Sequence, residues 1–160
     1  MDRKKLAILM ALAVSLPILT GCVEKVKEVS GFSMETINNI KSEREYGATP
    51  IIVSEENPFY ALVATPVALY YDEKGQHVEP LLVENFDNPS KAIERFVDFY
   101  PASYKKIRDD TPENVSVELS KAWKKSDAAL LIENSQHGYE LGVVATPIAS
   151  YLNIPIFVTD

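Results

Sequence analysis

The sequence predicts an α/β fold: a three-layer sandwich with a short, mainly parallel sheet, built from duplicated strand-helix-strand units. Three observations predict it. Four apolar runs, Pro50–Ser54, Pro80–Glu84, Ala128–Glu133 and Pro155–Thr159, are rich in Ile, Leu and Val and lack clean alternation, the pattern of parallel strands covered on both faces. Segments of helical periodicity separate them, giving the order β-α-β-α-β-α-β. A nine-residue motif also recurs at a constant offset: Val63-Ala64-Thr65-Pro66-Val67-Ala68-Leu69-Tyr70-Tyr71 and Val144-Ala145-Thr146-Pro147-Ile148-Ala149-Ser150-Tyr151-Leu152, with six positions identical and Val67 standing for Ile148.

Each copy of the motif leads into a proline-initiated apolar run, Pro80-Leu81-Leu82-Val83 and Pro155-Ile156-Phe157-Val158. The first copy carries a longer turn, Asp72–His77, before its strand, with His77 as an exposed loop residue. The Thr-Pro pair has two readings. Thr caps and Pro opens a short helix, or the helix begins near Tyr60 and Pro sits inside it. Small residues around the proline (Ala61, Ala64, Ala68; Gly142, Ala145, Ala149) allow close approach to the sheet.

Between the repeats, Asn88 is expected to cap a helix opened by Pro89, with Ala92, Ile93, Phe96, Val97 and Tyr100 on one face and Pro101 as its stop. Thr111 is expected to cap a second, opened by Pro112, with Val115, Leu119, Ala122 and Trp123 at helical spacing and Lys121, Lys124 and Lys125 in its last turns. A further helical turn is expected within Ala102–Arg108.

The N-terminal segment reads as an address. Arg3, Lys4 and Lys5 precede a 14-residue apolar stretch, Leu6–Leu19, too short to span a bilayer, for which about 20 residues are needed. It closes with Leu19-Thr20-Gly21-Cys22, an aliphatic residue, small residues and the chain's single cysteine, which is the pattern of a lipobox. Residues 1–21 are accordingly a lipoprotein signal peptide, and Cys22 is the lipidated residue of a protein held on the extracytoplasmic face of the cell membrane. Two acyl chains suffice for stable anchoring where one does not. Residues 22–47 are polar and read as a tether, and residues 48–160 as the domain.

Composition narrows the partners. The 160 residues are 46% hydrophobic and 24% charged, ordinary values for a globular chain. Arg3, Lys4 and Lys5 against Asp2 put +2 in the first 21 residues, so with a total of −7, residues 22–160 carry −9. So acidic a body argues against nucleic acid and anionic lipid head groups as electrostatic partners. One cysteine excludes an intrachain disulfide. No P-loop, Gly-x-Gly-x-x-Gly or Gly-x-Ser-x-Gly element occurs, so the chain is read as non-catalytic and without a cofactor.

The candidate ligand edge comes from the strand ends. Glu55, Glu56 and Asn57 follow the first apolar run, Glu84 and Asn85 the second, Glu133 and Asn134 the third, with His137 three residues on; Asp160 ends the fourth. In one parallel sheet these ends share an edge, where open α/β proteins usually bind ligands. Asp, Glu and Asn oxygens there suit a divalent cation or a ligand bearing hydroxyls or amines. The edge of the last strand calls for a cover, such as an oligomer.

The segment Leu141–Thr159 resembles the core of the cell wall-binding repeat 2 family. Thr146-Pro147-Ile148-Ala149 stands for that family's Ala-Pro-Leu-Ala helix motif, and Asn153-Ile154-Pro155-Ile156-Phe157-Val158-Thr159 for its following turn and strand. Ser126–Glu133 is similar to the preceding strand, and Asn57–Val83 gives a looser second match. The resemblance implies α/β repeats that hold a surface protein to envelope polymers. The function expected is thus a lipid-anchored attachment or interaction module, with an envelope polymer or surface protein as partner. The alternative is a lipoprotein binding an ion or small molecule at the acidic edge.

Overall fold

The computed structural model describes residues 37, 39–108 and 110–160. Signal peptide, lipobox and Cys22 lie outside them, as does most of the tether. Among the described residues are nine strands and four helices: β1 (Ser42–Arg44), β2 (Ile51–Ser54), α1 (Phe59–Ala68), β3 (Leu69–Asp72), β4 (Gly75–Val78), β5 (Leu81–Glu84), α2 (Lys91–Phe99), β6 (Lys105–Ile107), α3 (Pro112–Ser120), β7 (Trp123–Ser126), β8 (Leu130–Glu133), α4 (Gln136–Leu152) and β9 (Ile156–Thr159). The fold is α/β, with parallel strands at its centre. They are divided between two sheets: β5-β2-β6, parallel throughout, and β8-β9, also parallel.

The repeat is a structural duplication. Ile51 N–H donates to the Pro80 carbonyl at 2.9 Å, and Leu130 N–H donates to the Pro155 carbonyl at 2.9 Å. At the other end Glu55 N–H reaches the Glu84 carbonyl and Asn134 N–H the Thr159 carbonyl. Each proline therefore sits where a strand starts and its missing N–H costs nothing, while its carbonyl takes the first ladder bond. Both helices run through the Thr-Pro pair, so Pro66 and Pro147 are internal. In each, the threonine hydroxyl donates to the carbonyl four residues back, Thr65 to Ala61 and Thr146 to Gly142, both at 2.7 Å.

The copies diverge after Ala68 and Ala149. The first helix stops and the chain forms the antiparallel hairpin β3-β4 across the segment read as a turn. Gly75, at φ 114°, supplies the left-handed backbone the turn requires. His77 lies in β4, not in a loop, stacked on Tyr70 and bonded to Asp72. The second helix continues to Leu152 and ends at Asn153, in the left-handed conformation at φ 53°.

Four further expectations are corrected. Lys105–Ile107 is strand β6, because its backbone pairs with Ile51–Val53. Helix α3 ends at Ser120. Trp123, Lys124 and Lys125 instead form β7, which pairs antiparallel with β1. That strand belongs to the segment read as tether, and the compact unit reaches back to Ile37. Helix α2 is capped at Ser90, since the Asn85 side chain already holds the N–H groups of Asp87 and Asn88 in a turn.

The core lies around α1, which contacts β2 and β5 of one sheet, β9 of the other, and helices α3 and α4. Ile51, Val53, Val63, Val67, Val115, Leu119, Ile132, Ile156 and Val158 are buried there. Each such side chain contributes about 1.5–3 kcal/mol by leaving water. Gly142 lets α4 approach closely: a Cβ there would stand 2.9 Å from both Ile132 Cδ1 and Leu62 Cδ1.

Candidate functional site

The expected edge exists in two halves. In the first, β2 and β5 end side by side, and Asn85 Nδ2 donates to Glu55 Oε1 at 2.8 Å. Glu84 is buried, and its Oε1 accepts the N–H of Ser90, at the start of α2. Asn57 Oδ1 accepts from Phe59 N–H at 3.0 Å, closing the entry to α1. Glu56 is exposed, its N–H bonded to Ser54 Oγ.

In the second half, Ser135 caps α4: its Oγ accepts Gly138 N–H at 3.0 Å and donates to Glu133 Oε2 at 2.9 Å. Asn134 Nδ2 donates to Glu113 Oε1 at 2.7 Å, joining β8 to the first turn of α3. That bond, the carboxylate's bond to its own backbone N–H and a bond with Thr111 hold Glu113 below the ordinary glutamate range, the backbone bond contributing most. His137 is exposed in the first turn of α4 and, with Leu131, Glu133 and Leu141, lines a cleft of about 260 Å³.

The two halves meet through helix N-termini. Phe59 and Tyr139 pack edge to face at 5.6 Å, and the Tyr60 hydroxyl donates to the Asp110 carbonyl before α3. Four helices, α1 to α4, begin along this rim, and three of the predicted polar residues, Asn57, Glu84 and Asn85, serve there as capping and turn groups. Capping is the local use of a short oxygen-bearing side chain after a strand. Among the described residues no three His, Cys, Asp or Glu come together to hold a metal ion, so the divalent-cation expectation finds no cluster. Nor is any helix among them long and apolar enough to cross a membrane.

A second cluster was not foreseen. The Arg44 guanidinium of β1 lies between the rings of Tyr70 (3.8 Å) and Trp123 (4.0 Å). Its Nε donates to Asn153 Oδ1 at 2.7 Å and its Nη2 to the Pro66 carbonyl. Burial lowers its pKa to about 10. The cluster ties the start of the unit to the ends of α1 and α4. Asn before Ile-Pro, a helix-stop pattern, was its one readable signal.

Comparison of the chain with protein families, with curated proteins and with solved structures finds no match.

Proposed function

We propose that the chain is a lipid-anchored protein of the extracytoplasmic membrane face, whose duplicated β-α-β domain is a non-catalytic attachment or interaction module. The observation that carries the reading is the placement of the single cysteine, Cys22, directly after Leu19-Thr20-Gly21 and an apolar stretch. The paired strand-helix-strand units, each with Thr-Pro in the helix and a proline-led strand, support the likeness to cell wall-binding repeats. An acidic body fits a partner that is neutral or cationic better than an anionic one.

The test has two arms. Cys22→Ala should abolish globomycin-sensitive processing and release the protein from membranes; unchanged membrane retention would end the anchor reading. Residues 37–160 should co-sediment saturably with protein-stripped envelope of the source cell. The second reading, a small ligand at the acidic edge, rests on the convergence of Glu55 and Asn85 beside buried Glu84. A ligand-dependent rise in melting temperature without envelope retention would select it.

A further inference from the structure

Two copies of one motif are buried to different extents: α1 nearly all round, α4 on one face only. In α1, Tyr60, Val63 and Val67 are buried; their counterparts in α4, Leu141, Val144 and Ile148, are exposed. Val63 is 1% exposed and Val144 73%; Val67 is 0% and Ile148 57%. The strands beneath repeat the contrast, with Ile52 of β2 1% exposed and its counterpart Leu131 of β8 67%. Strand β2 is central in its sheet, whereas β8 has a partner on one side only among the described residues. The last strand, whose edge was expected to need a cover, has one: α3 packs on β9, and Val158 N–H donates to Ser116 Oγ at 3.1 Å. The open side of the second unit is therefore β8 and the outer face of α4.

That face is a continuous apolar stripe. Leu141, Val144, Ile148 and Tyr151 follow helical spacing on the side opposite buried Gly142, Thr146 and Ala149. Leu131 extends it across the cleft at one end, and Tyr71, 5.9 Å from the Tyr151 ring, at the other. These six side chains expose on the order of 600 Å², at the top of the range for a monomer's largest patch and near the roughly 800 Å² per partner of a standard interface.

We infer that this stripe is a homodimer interface, with α4 packed antiparallel on α4 of a second copy. Three features select a second copy. In α1 the counterpart residues are covered by elements of this same fold, so the surface is of a kind this chain covers itself. The charges of α4 and its approach, Glu133 and Glu140, sit at the N-terminal end, while residues 141–152 carry none. Antiparallel packing thus sets each acidic end against an uncharged one and opposes the helix dipoles favourably. A lipid surface fits poorly, because α4 has no Lys or Arg to meet head groups.

The stripe on α4 runs from Leu141 to Tyr151 and is centred between Val144 and Ile148, which places Val144 within one helical turn of the two-fold axis. In membranes carrying the full chain, Val144→Cys should oxidise to a species of doubled mass with copper phenanthroline, and Leu141→Cys co-expressed with Ile148→Cys should do the same. Glu94→Cys, exposed on α2, and the unsubstituted chain with its own Cys22 should not. Adding Ile148→Glu to Val144→Cys should cut the doubled species about tenfold or more, by burying a charge in an apolar contact. Ile148 is exposed in one copy, so at dilutions where the chain is monomeric its melting temperature should hold. The inference is overturned if Val144→Cys stays monomeric, if Glu94→Cys cross-links equally, if Ile148→Glu leaves the yield unchanged, or if the product has another protein's mass.

Discussion

The indole N–H of Trp123 donates to the backbone carbonyl of Asn153 at 2.7 Å, joining the first residue of β7 to the residue that stops α4. Asn153 holds a left-handed conformation, and its side-chain oxygen also accepts from Arg44 Nε and from the same indole at 3.2 Å. Backbone geometry and side-chain chemistry thus meet at one residue. Asn153→Gly keeps the backbone easy but loses the bonds, and should cost about 1–2 kcal/mol. Asn153→Ala adds left-handed strain and should cost about 2–3 kcal/mol. Trp123 is the chain's single tryptophan, so its fluorescence in a urea titration reads both, and equal losses would refute the backbone part.

Arg44 between Tyr70 and Trp123 makes β1 part of the domain. A lysine keeps the charge but not the flat fork that stacks on two rings and bonds sideways. Arg44→Lys should lower stability by about 1–2 kcal/mol. A chain beginning at Ala48, lacking β1, should lose more. Equal stability of chains beginning at Ile37 and Ala48, measured by calorimetry, would return β1 to the tether.

The two buried helical glycines of α4 should respond unequally to alanine. A Cβ at Gly138 would lie 2.0 Å from the Glu133 carbonyl oxygen, a backbone atom with no freedom to yield. At Gly142 it would meet only the methyl ends of Ile132 and Leu62. Gly138→Ala should therefore cost about 3 kcal/mol. Gly142→Ala should cost about 1 kcal/mol or less, because the helix gains nearly as much from alanine.

Acid should weaken the joint between β8 and α3. Glu113 is held below its ordinary value by hydrogen bonds to its carboxylate, and Glu118 likewise, first by Lys121 and then by Lys105. A carboxyl depressed in the folded state binds fewer protons there than when unfolded. Its contribution is therefore complete above the unfolded value and is lost as pH falls through the folded one. The urea midpoint of the native chain should drop between about pH 5 and pH 3 more steeply than that of Glu113→Gln. Parallel curves would show that the bonds to Glu113, from its own backbone N–H first and then from Asn134 and Thr111, are no stronger to the charged form.

Much of the fold was legible because local chemistry writes it. Thr111 before Pro112 named the start of α3, and its Oγ does accept Asn114 N–H. The proline-led runs named β5 and β9, since a strand's first residue can spare its N–H. What was illegible depended on partners far along the chain. Lys121–Lys125 looks like a helix end until Ser42–Arg44 arrives to pair with it. At the strand ends, the local pattern does not tell Glu84, which holds the N–H of Ser90 before α2, from Glu56, which stands in water.

The sequence by itself determined that this chain carries two strand-helix-strand units, where their prolines fall, and that its single cysteine follows an apolar stretch. Only the tertiary structure decided how the units differ: Val63 lies in the core and Val144 in water, though the same motif surrounds both. A motif specifies which side chains share a helix face. Which face is buried depends on what packs against it, and for α1 that is β2, α3 and β9, elements that no local pattern can assign to it.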